Sequence, residues 1–222
     1  MGWLVRALTS SIGKKFMMAL TGICLILFLI IHLINNLTLF AGPELFNKVV
    51  KNLDGIKPLV RIIEVILSLI FIIHIISGGW VWWENRQARP IKYKINGSSK
   101  NSTYSSRTMI YSGSIVFIFL VIHLRTFWIW FNFGHPTIAE HRYYEIVTQT
   151  FQNPFYSSLY IFSTIILGFH LNHGFQSAFQ TFGWNHKKYF PFIEKFGFIY
   201  SWITALLFAS IPVYFLFFYG GK

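Results

Sequence analysis

Five of the eight histidines fall inside long apolar runs, the first of them in FLIIHLINN (28–36). Hydrocarbon offers an imidazole no hydrogen-bond partner, so a histidine placed there must find one in the protein or in something the protein holds. The runs carry His32, His74, His123, and then His170 with His173. Read as helices that cross a membrane in alternating directions, they set these residues at two heights. His32 and His123 lie about sixteen residues from the inner ends of their runs, roughly 24 Å up at about 1.5 Å per residue, on the outer half. His74 and His170 lie about fifteen residues from the outer ends of theirs, which puts both on the inner half. The histidines therefore form two level pairs.

A repeat supports the pairing. TGICLILFLIIHL (21–33) and SGSIVFIFLVIHL (112–124) share Gly22/Gly113, Phe28/Phe119, Leu29/Leu120, Ile31/Ile122 and Leu33/Leu124 when aligned on histidine. HIISG (74–78) and HLNHG (170–174) match more loosely, each with a glycine four residues after the histidine on the same helix face. In an up-down-up-down bundle the first and third helices are diagonal, as are the second and fourth. Two level histidines on diagonal helices can bind one flat metal macrocycle between them, and the bundle would hold two such groups. Thr21–Gly22 and Ser112–Gly113 fall about 15 Å below their own histidines, at the depth of the inner pair, where a large planar group needs thinned helices. Gly78 and Gly174 are expected to clear space beside their own histidine rings. The implied cofactor is haem. Ligation by two imidazoles leaves no open site on the iron, so the chemistry is electron transfer. There is no C-x-x-C-H, so attachment is non-covalent, as in b-type cytochromes.

Other chemistries fit less well. A lone intramembrane histidine is usually a packing or hydrogen-bonding residue; four at two matched depths, one per helix, argue for ligation. Zinc or copper would want more than two ligands per site. A proton path would normally recruit intramembrane carboxylates, and only Glu64 lies within a run, near its outer end, with Arg61 one turn away as its partner. His173 is an alternative ligand to His170 but reads better as its neighbour, and His135, His141 and His186 read as solvated loop residues. Arg125, two residues beyond His123, either neutralises a haem propionate or snorkels outward.

The elements that must position these residues are five apolar runs of spanning length, at about 16–40, 58–83, 109–133, 155–182 and 196–219. The chain reads as one all-α integral membrane domain over 1–222, with the first four helices forming a haem-binding four-helix bundle. Its composition, 54% hydrophobic and 12% charged, is not that of a soluble domain. The net charge of +12 lies in segments between the runs and not on one amphipathic face, which speaks for membrane topology and against nucleic acid. With the N-terminus inside, twelve of the 19 Lys and Arg residues fall on the inner side, which predicts a cytoplasmic N-terminus and an outer C-terminus. A multi-pass protein of the cell's inner (cytoplasmic) membrane follows, without a removable signal peptide. The single cysteine, Cys24, excludes a disulfide framework and an iron–sulfur cluster held by this chain alone.

These residues resemble a known family, the dihaem cytochrome b anchor of succinate dehydrogenases and fumarate reductases, in the form with one five-helix polypeptide. The resemblance covers nearly the whole chain and rests on SSIGKKFMMALTG (10–22), FLIIHLINN, the histidine of the second run, HLRTFW (123–128) and GFHLNHGFQSAFQTFGW (168–184). It implies two b haems, a distal one on His32 and His123 and a proximal one on His74 and His170. It also implies a flavoprotein and an iron–sulfur protein docked on the inner face, with electrons passing between them and a membrane quinone, expected to be menaquinone. Some fumarate-reducing members place a glutamate two residues before the fourth ligand; here that position is Gly168, which leaves their proton route without its residue. The chain has no dinucleotide-binding glycine fingerprint and no cysteine cluster, so dicarboxylate chemistry belongs to the partners. Lys14, Lys15 and the basic second and fourth loops are candidate docking or lipid-contact positions. The quinone is expected near the outer haem, around Asn36, Arg61, Glu64, Arg125 and Trp128. Two rival readings are the cytochrome b of another quinone-linked complex, of hydrogenase or formate dehydrogenase type, and a histidine-relay transporter without haem. A purely structural anchor is a third.

Overall fold

The computed structural model describes residues 2–88, 104–133 and 143–220. His135, His141, most of the basic second loop and Lys222 lie outside them. Within them the chain is helical, and five helices are long and apolar enough to cross a membrane.

A short helix α1 (Trp3–Thr9) leads into α2 (Ser11–Leu37). Ser10 caps α2 by accepting a hydrogen bond from the Gly13 amide at 3.0 Å. One tighter turn, Thr38–Ala41, extends this span before α3 (Pro43–Gly55) and the second span α4 (Lys57–Gln87). The third span, α5 (Tyr104–His123), runs on through six residues of wider π winding, Leu124–Ile129, into a last turn, Trp130–Phe133. Then come α6 (Tyr143–Gln152), the fourth span α7 (Pro154–Thr181) and the fifth, α8 (Phe190–Phe217). The spans agree with the apolar runs within a few residues, except that the first, third and fifth helices begin five or six residues before their runs, at Ser11, Tyr104 and Phe190.

Helix α2 packs on α4 and α7, α5 packs on α7, and α4 meets α5 only lightly. That is the square expected of an up-down-up-down bundle, with its loosest side between the second and third spans. The fifth span lies outside the square, against α7 and α2. Small residues let α8 approach closely: Gly197, Ser201, Ala205 and Ala209 are buried at four-residue spacing along one face. A Cβ on Gly168 of α7 would lie 2.9 Å from the Ala205 Cβ, and one on Gly197 would lie 2.6 Å from the Phe175 ring. Tyr200 adds a polar tie across this seam, its hydroxyl donating to the Ile26 carbonyl at 3.1 Å. Gly168 is thus a packing residue, and a glutamate there would need α8 to move away.

The segments before the second and fourth spans, read from composition as polar connections, contain the helices α3 and α6. The two pack on each other at the end of the bundle where α2 finishes, called here the outer end. The Tyr143 hydroxyl donates to Asp54 Oδ2 at 2.6 Å, and the Tyr144 amide donates to Asn47 Oδ1 at 3.0 Å. Beneath them Leu39, Phe46, Phe127, Val147, Phe151 and Phe215 form an aromatic-rich core. Burial, and then the bond to Asp54, push the Tyr143 phenol up to about 12.

Candidate histidine centres in the helix bundle

Four helices bring four imidazoles together in two pairs. On the level nearer the start of α2, called here the inner level, His74 of α4 faces His170 of α7, with ring centroids 6.4 Å apart and planes at 74°. On the outer level His32 of α2 faces His123 of α5 at 5.7 Å and 88°. The ring opposite His74 belongs to His170, while His173 sits three residues further along α7. All four paired rings are half-buried.

The inner pair is held symmetrically. Thr21 Oγ1 of α2 lies 3.2 Å from His74 Nδ1, and Ser112 Oγ of α5 lies 3.4 Å from His170 Nδ1. Next to each hydroxyl is a glycine. A Cβ on Gly22 would lie 3.4 Å from His74 Cε1, and one on Gly113 would lie 3.3 Å from His170 Cε1. Each ring therefore rests on the backbone of the neighbouring helix. Gly78 and Gly174 have a different role from the one their spacing suggests. The nearest atoms to a Cβ there are Met18 Sδ and Met109 Cε, each at 3.8 Å, so these glycines face methionines of the neighbouring helix and not their own histidine rings.

The outer pair sits among aromatic rings. Phe28 stacks on His32 at 5.3 Å, and Phe119 tilts over His123 at 5.7 Å, each one turn from its histidine at the shared positions of the repeat. Tyr160 places its hydroxyl 3.3 Å from His123 Nδ1, and Phe208 of α8 approaches His32 at 5.8 Å. Asn36 donates to the His32 carbonyl at 2.8 Å and lies 3.4 Å from His32 Nε2. It belongs to the histidine environment, and the outer polar cavity described below is lined by other residues.

Two imidazoles on opposite sides of one metal, each bonded at about 2.0–2.1 Å, have ring centroids about 6 Å apart. The inner spacing meets this, and the outer pair stands slightly closer. Among the described residues no cluster of three or more His, Cys, Asp or Glu is placed to hold a metal ion. Two imidazoles per level suit a metal that brings its remaining donors with it, as haem does.

No family model matches this chain, and no curated protein or solved structure matches it.

Above the outer pair lies a cavity of about 140 Å³ between α3, α4, α5 and α6. Arg61 is its hub. It donates to Glu64 Oε2 and to Asn132 Oδ1, both at 2.6 Å, and its guanidinium lies 5.9 Å from the Trp128 ring centre. Trp128 Nε1 donates to Glu64 Oε1 at 3.1 Å. Of the five residues expected around a quinone, Arg61, Glu64 and Trp128 line this cavity, while Asn36 sits by His32 and Arg125 is exposed. Asp54, Lys57, Asn132 and Tyr143 are the other polar residues of its lining, and Asp54 and Tyr143 come from segments that composition reads as connections.

At the inner ends of α2 and α4, Lys14 pairs with Glu84, which also accepts from Trp80 Nε1 at 2.8 Å, and the ammonium lies 4.8 Å from the Trp80 ring centre. Lys14 therefore ties two spans together, whereas Lys15, Lys187 and Lys188 are exposed.

Proposed function

We propose that this chain is the membrane-anchor cytochrome b subunit of a succinate:quinone oxidoreductase, in the inner membrane with its N-terminus cytoplasmic. His74 and His170 would hold a b haem on the inner level, and His32 and His123 a second on the outer level. The observation that carries this is the pairing of four intramembrane imidazoles into two facing couples at two heights. A b haem with two imidazole ligands supplies one-electron transfer and keeps no open site on its iron.

The chain's own residues do the positioning. The hydroxyl–glycine pairs orient the inner rings, the aromatic rings enclose the outer ones, and α8 braces α7 from outside. Along α2, Thr21 and His32 differ by about 16 Å of helix rise, so the two levels divide the membrane into short electron-transfer steps. The outer cavity, with Lys57, Arg61, two carboxylates, Asn132, Trp128 and Tyr143 beside an apolar wall, is where a quinone headgroup would find hydrogen-bond donors. The exposed inner lysines would face the flavoprotein and iron–sulfur partners that the resemblance implies.

Affinity purification through this chain tests the reading. The expected result is a complex with a flavoprotein and an iron–sulfur protein whose b-type absorbance is reduced by succinate. Reduction by hydrogen or formate instead would assign the chain to the other quinone-linked class. A histidine relay would show pH-dependent flux and no Soret band.

A further inference from the structure

Donor accounting around the inner pair points to a role for two hydroxyls that the ligand set alone does not require. Thr21 has one hydroxyl proton and two backbone acceptors for it, the Met17 carbonyl at 2.7 Å and the Met18 carbonyl at 3.1 Å. With that proton on a carbonyl, the oxygen 3.2 Å from His74 Nδ1 accepts, and the Met18 carbonyl is a second acceptor for the same ring, so both neighbours call for a proton on Nδ1. The repeat does this again. Ser112 Oγ donates to the Met109 carbonyl at 3.0 Å and lies 3.4 Å from His170 Nδ1, the same arrangement with Nδ1 as the donor. Both rings are thereby set in the tautomer whose Nε2 keeps its lone pair for a metal. The glycine after each hydroxyl lets the Cε1 edge of the ring lie against the helix, so the hydroxyl can reach Nδ1. The outer pair lacks the hydroxyl–glycine repeat. His123 Nδ1 meets a phenol and His32 meets an amide nitrogen.

We propose that Thr21–Gly22 and Ser112–Gly113 are positioning elements for the inner centre: each hydroxyl accepts the Nδ1 proton of a ligand on the next helix, fixes the metal-binding tautomer and raises the basicity of Nε2. The inference rests on the haem reading above. A more basic imidazole favours the oxidised metal, so the hydroxyls hold the inner centre at a lower reduction potential than the same ligands would have without them.

The test is a redox titration of the purified complex, following the b-type absorbance, with the inner wave assigned as the one that survives in His123→Ala. In Thr21→Val and Ser112→Ala the inner wave is expected to move upward by up to about tenfold in the reduced-to-oxidised ratio, about 59 mV for one electron. The outer wave should stay in place, and Thr21→Ser should restore the wild-type inner value. Loss of the inner haem in Thr21→Val with recovery in Thr21→Ser also supports the role. Unchanged inner potential and unchanged low-spin electron paramagnetic resonance signals in both variants, with two haems bound, would overturn it. So would loss of the inner haem in Thr21→Ser, because a space-filling role would then explain the site. Wild-type protein without haem would instead refute the underlying reading.

Discussion

The imidazoles of His74 and His170 come from helices on opposite corners of the bundle, yet their ring centroids stand 6.4 Å apart. Their separation in sequence is 96 positions, so nothing local brings them together; the depth of each along its own helix does. His74→Ala and His170→Ala are each expected to remove the inner haem and spare the outer one, and His32→Ala and His123→Ala the reverse. His173→Ala should leave both. Haem per polypeptide in each purified variant decides this, and loss of a haem in His173→Ala would mean that His170 is not the ligand.

The outer cavity should serve the quinone and not the haems. Arg61→Leu breaks the hydrogen bonds to Glu64 and Asn132 together. Quinone-linked turnover is expected to fall at least tenfold while haem content and succinate oxidation with an artificial acceptor stay near wild type. Equal loss of both activities would place the defect in assembly.

Close helix packing predicts a sharp contrast between glycines. Gly168→Ala puts a methyl group 2.9 Å from the Ala205 Cβ, an overpacked seam that should cost about 1–3 kcal/mol. Gly79→Ala, two turns from the end of α4, meets nothing within 4 Å and should be neutral or stabilising by up to about 1 kcal/mol. Thermal unfolding in one detergent compares them, and equal effects would argue against the seam.

The Tyr143 bond to Asp54 ties α6 to α3 over the outer end. Tyr143→Phe should lower stability by about 0.5–1.5 kcal/mol at neutral pH. Because the folded phenol is raised to about 12, its neutral form stabilises the fold fully below the usual tyrosine value of about 10. That contribution is lost as pH rises from there toward 12. Tyr144 is raised to about 12 in the same way, so the variant should flatten only part of the alkaline loss. Denaturation midpoints at pH 8 and pH 11 check the sign.

The spans and the histidine levels were legible in the sequence because both depend on one quantity, the rise of a helix across a fixed thickness. The pairing of Gly22 and Gly113 with the inner level follows from the same arithmetic. The hydroxyl bonds of Thr21 and Ser112 do not. A small polar residue in an apolar run looks the same whether it faces lipid or a neighbouring ring. Helices α3 and α6 were hidden because their apolar faces are short and their polar residues dominate composition. Of Arg125 and Trp128, both expected beside Glu64, only Trp128 meets it; the stretch from Leu124 to Ile129 winds as a π-helix, which regular helix geometry does not anticipate.

Haem stoichiometry tests the central claim most directly, by an alkaline pyridine haemochrome spectrum of the purified, folded membrane protein. Two b haems per polypeptide are expected. None, from cells with haem available, would contradict the account and leave the four paired histidines to a haem-free role.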